Sequence, residues 1–356
     1  MSGRPVRVLI SGIVLDQPAS GVRRFAEQVF PRVARRLGES GGSMSVLEPA
    51  SGLPWLTGAG LERLPSRVDG RLRFGRSRDE RRALLDVLAQ ARSEGRPFDL
   101  CLLGHLPAPD LGAMPTVQLV HDVRITTRFA PAWKRWVGAR VLREAVRRAS
   151  TVVTVSEAMS DALRQRFGVE PRVIGHGGDH LPLAESRTRR GVLSVGHLEP
   201  RKNVELLLDA WRRDPSLPAL SLVGRGPLEV KLKRMVSDAG LAERVHFLGA
   251  VSDERLAELY GGTRVVVLPS RYEGFGIGLL EARRAGAALA VSAIPAHLER
   301  STEHDARFDP EDPEQATLAI RTALERTHEP PRDVPSWEHT AEHWTALFER
   351  VADRVR

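Results

Sequence analysis

The chain alternates apolar runs with longer amphipathic segments almost from end to end. Its strand-like runs are VRVLIS, FDLCLLG, TVQLVH, TVVTVS and PRVIG in the first half, then GVLSVG, ALSLVG, RVHFLG, RVVVLP and ALAVS in the second. Helix-like segments separate most of these runs, which is the pattern of βαβ units and parallel sheets. Each half therefore has enough strands for a sheet of its own.

The length of 356 residues and this division predict two domains. The predicted fold class is α/β, with two Rossmann-like doubly wound domains that face a cleft. The predicted boundaries are an N-terminal domain at 1–180, a polar linker at 181–190 and a C-terminal domain at 191–335. Residues 336–356 form an amphipathic helix with large apolar anchors, and we expect it to pack back on the N-terminal domain.

Composition limits the classes of protein to consider. A hydrophobic content of 42% and a charged content of 28% exclude wholesale disorder. No run approaches the roughly 18 apolar residues of a membrane span, and the first apolar run is interpreted as a strand. Cys101 is the only cysteine, so an intrachain disulfide and a cysteine-rich metal site are excluded. The expected location is cytoplasmic.

The net charge of +8 comes from the first half of the chain, and one helix there stands out. Residues 130–150 combine Trp133 and Trp136 with six basic residues and one acidic residue. Such a segment is able to lie on an anionic membrane, at the inner face if the protein is cytoplasmic. A packed helix with a solvated basic face is the alternative. No nucleic-acid partner is predicted.

In open α/β sheets, ligands bind beyond the carboxyl ends of the strands, so the residues after each strand deserve inspection. Arg201 and Lys202 follow one strand and immediately precede a helix that begins near Val204. Cations at a helix start oppose its dipole, and a phosphate would account for them. A solvated strand-to-helix loop is the alternative.

The segment SRYEGFGIGLLEARRAG at 270–286 places three glycines where a helix begins, between Glu273 and Glu281. Glu273 is predicted in the loop after a strand, and Glu281 inside the helix. The two carboxylates then bracket a helix N-terminus, which favours an anion, while glycine lets the backbone approach a bulky ligand. A ligand with hydroxyls on both sides of its phosphates is a nucleotide sugar. The alternative is that Glu273 interacts only with the dipole at the helix N-terminus and that Glu281 faces solvent.

The segments GHLEPRKN, VHFLGAVSDERLAELY and SRYEGFGIGLLEARRAG, in this order and spacing, resemble the retaining family 4 glycosyltransferases of the GT-B fold. The resemblance is close over residues 191–300 and looser elsewhere, through SGVRRFAEQ, VHDVR and TVSEAM. It implies transfer of a sugar from a nucleotide diphosphate sugar to an acceptor hydroxyl, with retention at the anomeric carbon. The acceptor classes considered are a bacterial polysaccharide, a glycolipid and a natural product.

The resemblance also implies roles for individual residues. Glu273 corresponds to the glutamate that contacts the transferred sugar, and Glu281 to the one that holds the ribose. Arg201 and Lys202 correspond to the diphosphate clamp. The remaining positions are the donor loop Gly274, Phe275 and Gly276, the N-terminal loop glycine Gly21, and His121 beside the sugar and the acceptor.

No Asp-x-Asp element follows a strand, so no metal is predicted, and no resident cofactor is expected. The resemblance implies that the leaving phosphate deprotonates the acceptor. Two departures from the family concern the donor loops. His197 stands where many members have arginine, and the proline that commonly follows the Gly-Phe-Gly turn is absent.

The other functions considered are a nucleotide-sugar epimerase of the same fold, a sugar phosphorylase, and a non-catalytic module that binds nucleotide sugars. The sequence does not indicate the base and sugar of the donor or the acceptor.

Overall fold

The computed structural model describes residues 5–16, 21–58, 60–71, 75–184, 188–326 and 334–354. The chain divides into two units. The first comprises Met1–His176 and Trp337–Arg356, and the second comprises Gly177–Ser336. The boundary at His176 therefore lies before the predicted domain end at residue 180. The described part of the predicted linker 181–190 belongs to the second unit, and a strand already begins at Arg190.

Strands and helices alternate through most of the two units. The strands are β1 (Arg7–Ser11), β2 (Ser43–Leu47), β3 (Leu61–Leu64), β4 (Leu100–Leu103), β5 (Thr116–Val120), β6 (Thr151–Thr154), β7 (Arg172–Val173), β8 (Arg190–Val195), β9 (Leu220–Val223), β10 (Val245–Gly249), β11 (Thr263–Leu268), β12 (Ala288–Ser292) and β13 (Ala306–Phe308). The helices are α1 (Gly21–Glu39), α2 (Arg76–Ser93), α3 (Ala132–Arg148), α4 (Glu157–Phe167), α5 (Val204–Arg213), α6 (Glu229–Asp238), α7 (Asp253–Gly262), α8 (Ile277–Arg284), α9 (Pro295–Leu298), α10 (Pro313–Glu325) and α11 (Trp337–Arg354).

Each unit contains one parallel sheet. The first sheet has the order β3-β2-β1-β4-β5-β6-β7, and the second has the order β10-β9-β8-β11-β12-β13. All neighbouring strands in both sheets are parallel. In both, the strand order reverses beside the unit's first strand, between β1 and β4 and between β8 and β11. The predicted α/β class with two doubly wound sheets is confirmed.

The central strands have apolar side chains on both faces because helices cover parallel sheets on both sides. All residues of β4 and β5 are buried, and so are all residues of β11 except Arg264. These strands read as continuous apolar runs, and the sequence pattern therefore predicted them.

Three strands were not among those predicted, namely β2, β3 and β13. The β2 sequence SMSVL alternates serine with apolar residues, yet Ser45 is fully buried and donates a hydrogen bond of 2.6 Å to Glu62 of β3. At the edge of the sheet, β3 buries none of its residues completely. β13 has only three residues. Polar, exposed or very short strands lack the periodic signal on which the prediction depended.

Helix α11 belongs to the first unit, although it is far from the rest of that unit in sequence. Its Trp344 ring lies 5.6 Å from the ring of Phe25 on α1, and Trp337 stacks on His176 at 5.5 Å. Both tryptophans are fully buried. Burying an aromatic or large aliphatic side chain of this kind contributes about 1.5–3 kcal/mol, so α11 is an integral part of the first unit's core.

Candidate functional site

Three charged residues identified from the sequence lie together at the carboxyl edge of the second sheet. Its strand order reverses between β8 and β11, and a crevice forms at such a reversal because the connections leave the edge in opposite directions. Arg201 and Lys202 lie in a short 3-10 turn after β8, and Glu273 lies in the loop after β11. The two loops meet at this point.

Arg201, Lys202 and Glu273 form one ion cluster. Arg201 Nη1 lies 2.8 Å from Glu273 Oε2, and Lys202 Nζ lies 2.6 Å from Glu273 Oε1. Arg201 Nε also lies 2.8 Å from a carboxylate oxygen of Glu199. The side chains of Arg201, Lys202 and Glu273 are 19%, 21% and 11% exposed. Glu273 and Glu199 therefore supply negative charge beside the two cations from within the chain.

Asn203 fastens the β8 loop to the β11 loop. It is fully buried, has a left-handed backbone with φ 57, and donates from Nδ2 to the carbonyls of Pro269 and Pro310 at 3.1 and 2.7 Å. The Arg271 amide also donates to the Arg201 carbonyl at 2.7 Å. Asparagine tolerates this backbone conformation better than most residues, and the resulting hydrogen bonds preorganise the cluster.

The carboxyl of Glu273 is strongly acidic in this setting. Burial disfavours its charge, but Lys202 and Arg201 outweigh burial and lower the pKa to about 2. Ser270 Oγ donates a further hydrogen bond of 2.7 Å to Glu273 Oε1. Glu273 is therefore an anion throughout the physiological range.

A buried histidine that the sequence analysis missed stands behind this cluster. His297 is 1% exposed, its Nδ1 lies 3.0 Å from Ser292 Oγ, and that hydroxyl donates 2.6 Å to the Ser270 carbonyl. Burial lowers the pKa of His297 to about 4, so the ring is neutral near pH 7. Its position in the sequence could have indicated it, because His297 lies in α9, which directly follows the carboxyl end of β12.

The donor loop Gly274, Phe275 and Gly276 leads into α8. The Arg300 guanidinium carbon lies 3.7 Å from the centre of the Phe275 ring, which is 8% exposed. Gly276 has φ 86, and a Cβ there would lie 3.1 Å from the His297 ring, so glycine meets both a backbone and a packing requirement. Gly276 also offers no side-chain cap to α8, which leaves the first amides of the helix open to an anion.

Glu281 lies inside α8 and is 9% exposed. Tyr260 Oη donates to its Oε2 at 2.8 Å, and His180 Nε2 lies 3.1 Å from its Oε1. Burial and the nearby Glu281 raise the pKa of Tyr260, so the phenol keeps its proton and remains a donor. Glu281 is thus held from two sides and does not point to solvent.

Gly21 and His121 belong to the first unit. Gly21 begins α1, and a Cβ there would meet nothing within 4 Å, so local packing does not require glycine. His121 follows β5, and its ring lies 5.2 Å from the ring of Phe25. Burial lowers the pKa of His121 to about 4. Both residues lie at the carboxyl-edge side of the chain's first sheet, but on a different unit from Glu273.

Within the described ranges, no group of three or more histidine, cysteine, aspartate or glutamate side chains is arranged to hold a metal ion. Within the same ranges, no helix has the length and apolar character needed to cross a bilayer. His197 is exposed.

Two family models match the chain, one over each half. Residues 26–180 match the model described as Glycosyltransferase Family 4, and residues 182–334 match the model described as Glycosyl transferases group 1. Together the two ranges include most of the chain, all of the second sheet and the first sheet except β1.

Several curated relatives are mannosyltransferases. The MMP alpha-(1->4)-mannosyltransferase of Mycolicibacterium hassiacum is 27% identical over 251 residues, which are 63% of this chain and 60% of that protein. The serotype-specific mannosyltransferase WbdA of Escherichia coli is 34% identical over 49% of this chain and 23% of its own length. The O-antigen chain mannosyltransferase RfbU of Salmonella typhimurium is 29% identical over 57% of this chain and 59% of its own length. The chain thus spans less than two thirds of these relatives.

Solved structures share the fold over nearly the whole chain. Sucrose-phosphate synthase from Thermosynechococcus elongatus has a TM-score of 0.71 at 16% identity, covering 98% of this chain and 94% of that one. HepE of Anabaena, in complex with UDP-glucose, has a TM-score of 0.65 at 18% identity and 98% coverage of both chains. WaaG, a glycosyltransferase involved in lipopolysaccharide biosynthesis, has a TM-score of 0.66 at 19% identity, covering 98% of this chain and 99% of that one.

Proposed function

We propose that this chain, a family 4-like glycosyltransferase of the GT-B fold, moves a sugar from a nucleotide diphosphate sugar to an acceptor hydroxyl with retention and without a metal ion. The observation that carries the proposal is the Arg201, Lys202 and Glu273 cluster at the strand reversal of the second sheet. Its position is the ligand-binding edge of a doubly wound sheet, and its charges suit a phosphorylated sugar.

Donor binding redistributes the ion pairs of this cluster. In the structure, Arg201 and Lys202 both pair with Glu273. A diphosphate that enters beside them, at the open N-terminus of α8, draws the two cations toward itself. The Glu273 oxygens then accept hydrogen bonds from sugar hydroxyls. The cations stabilise the charge that develops on the departing diphosphate, which is electrostatic catalysis by preorganised groups.

Glu281 suits the ribose of the donor. A carboxylate has about four lone-pair sites, and Tyr260 and His180 approach from two sides. The remaining sites can accept hydrogen bonds from the two ribose hydroxyls, while the buried partners fix the side-chain rotamer. In this scheme the leaving phosphate takes the acceptor proton, and no protein nucleophile is required.

The donor sugar is proposed from the relatives. Mannosyl transfer is the activity named for several of them. Nucleotide diphosphate mannose is therefore the first donor to test, and UDP-glucose is the second. An epimerase and a binding module are the alternatives.

The test follows nucleotide release and the fate of the sugar in wild-type protein with these donors. A transferase releases nucleotide diphosphate faster when methyl mannoside or glycerol is added as an acceptor probe, and the product anomer matches that of the donor. An epimerase alters the donor sugar without an acceptor. A binding module is stabilised by nucleotide but shows no turnover, and either of these last two results would exclude the transferase.

We also propose that α3 rests on an anionic membrane surface. Trp133 and Trp136 are 66% and 69% exposed, and Val137 is 43% exposed beside them. The face around them is basic, and exposed aromatic side chains with basic neighbours are typical of helices that lie in a membrane interface.

Flotation with vesicles tests this membrane contact. We expect binding to phosphatidylglycerol vesicles, little binding to phosphatidylcholine vesicles, and loss of binding in the Trp133→Ser, Trp136→Ser double variant. Leu318→Ser, which changes a residue of the second unit that is 66% exposed, is the matched control. Equal flotation of the double variant and the control would show that α3 does not bind the membrane.

A further inference from the structure

A second polar cluster lies at the carboxyl edge of the first sheet, in the unit that contains Gly21 and His121. Ser11 ends β1, His105 follows β4, and Glu80 reaches them from α2. Ser11 Oγ donates to Glu80 Oε1 at 2.6 Å, and His105 Nε2 lies 2.9 Å from Glu80 Oε2. The cluster sits where the strand order reverses between β1 and β4.

The cluster is buried and one of its polar atoms is unsatisfied. The Glu80 side chain is 0% exposed and that of His105 is 7% exposed. Nδ1 of His105 is buried and has no hydrogen-bond partner among the residues that the structure describes. An unsatisfied buried polar atom is costly, at about 1–3 kcal/mol, so it points to a group that the site is built to receive.

His105 lines a cavity next to this cluster. The cavity has a volume of about 20 Å³, and its other walls include Ser11, Phe25, Leu119 and His121. This volume is enough for one water-sized group. The walls are mostly apolar, so a ligand that enters must combine one small polar group with an apolar flank.

The hydrogen-bond pattern specifies that polar group. Glu80 accepts from the Ser11 hydroxyl, and its other carboxylate oxygen, at 2.9 Å from Nε2, favours a ring proton on that nitrogen. With the single ring proton on Nε2, Nδ1 carries a lone pair that can accept a hydrogen bond from a donor. A hydroxyl supplies one donor, has the size of a water and can be joined to the apolar C–H face of a sugar.

We propose that Ser11, Glu80 and His105 form a hydroxyl-binding site on the first unit, in which His105 Nδ1 accepts a hydrogen bond from one hydroxyl of a sugar or polyol. Glu80 is a positioning residue because it fixes the ring and its tautomer without touching the ligand. The identification of this hydroxyl as one of the acceptor rests on the proposed function; the binding of a hydroxyl at His105 does not.

The first test is a binding measurement on wild-type protein labelled with 15N in its histidines. Titration with methyl mannoside or with glycerol is expected to shift the His105 Nδ1 resonance and leave the exposed His343 on α11 unchanged. A His105 resonance that does not move with either probe, and so reports a resident water only, would overturn the proposal even if the protein transfers sugar.

The second test uses three variants and the acceptor dependence of transfer. His105→Phe removes the acceptor atom at similar size, and we expect the KM for the acceptor probe to rise about ten-fold with an unchanged Kd for the donor. His105→Gln, which restores a hydrogen-bond acceptor, should recover part of this loss. Glu80→Gln should have an effect like His105→Phe, because an amide N–H that donates to Nε2 shifts the ring proton to Nδ1. The 15N spectrum reports this change of tautomer directly.

His343→Gln is the matched control for these kinetics. If His105→Phe weakens donor and acceptor equally, or changes neither, the site does not hold an acceptor hydroxyl. Absence of turnover with every donor, together with a probe-dependent shift of His105, would instead reject the transferase and leave the hydroxyl site standing.

Discussion

The carboxyl edges of the two sheets share a strand order but differ in chemistry. At the edge of the second sheet, Arg201 and Lys202 pair with Glu273, and all three side chains keep some exposure. At the edge of the first sheet, Glu80 is fully buried and its partners are a hydroxyl and an imidazole. Among the described residues, no lysine or arginine takes part in the contacts of Glu80 with Ser11 and His105.

The difference indicates which ligand each edge can accept. Opposite charges that remain near solvent can exchange partners when a phosphate arrives, at modest desolvation cost. A buried carboxylate that orients an imidazole ring instead allows that ring to form a directional hydrogen bond with an uncharged group. One fold therefore presents two edges of different polarity, and the loops and not the sheets decide the chemistry.

The largest effect is expected from removing a charge at the second edge. Lys202→Met keeps most of the side-chain length but loses the ammonium, so the leaving diphosphate loses one preorganised cation. We expect kcat to fall about 10²–10³-fold, with weaker donor binding and an unchanged KM for the acceptor probe. Steady-state kinetics with both substrates varied measures the three quantities.

Lys231→Met is the control for that change. Lys231 is 61% exposed and pairs only loosely with Glu205, at 3.3 Å. A Lys202→Met enzyme with the kinetics of this control would show that the two edges do not differ in the proposed way.

The sequence predicted the second edge better than the first. Four predicted residues stand in short segments directly after strands with strong apolar patterns, namely Arg201, Lys202, Glu273 and Glu281. The position of each after a strand, and the loop or helix in which it lies, could therefore be predicted. Their functional roles stay predictions. His297 was missed because a histidine in PAHLE carries no local pattern, and its position follows only from the neighbouring strand.

The cluster at the first edge had no comparable signal. Ser11, Glu80 and His105 come from three separate segments of the chain, and Glu80 lies in an Arg-rich helix that reads as solvent-facing. Its burial depends on how α2 packs on the sheet, which periodicity alone does not specify. The strands β2 and β3 beside it were missed for a related reason, since their serines and charged residues interrupt the apolar pattern.

The smallest expected effect is a change in the pKa of a histidine at one edge and not at the other. Burial lowers the pKa of both His297 and His121 to about 4. For His297 the next largest influences are Glu273, which raises the pKa, and Lys202, which lowers it. For His121 the low pKa is due to burial. In Lys202→Met we therefore expect the pKa of His297 to rise and that of His121 to stay the same.

The consequence for stability has a definite sign. The ordinary pKa of a histidine in an unfolded chain is about 6.5. A histidine with a lower pKa in the folded protein contributes stability above about pH 6.5, and this contribution is lost as the pH falls from about 6.5 through about 4. A higher folded pKa for His297 raises the lower limit of the pH range over which stability is lost. NMR titration of the histidine ring resonances, in wild type and Lys202→Met, measures both values. Equal movement of His297 and His121 would show a change in the whole fold, and movement of neither would show that Lys202 does not act on His297 electrostatically.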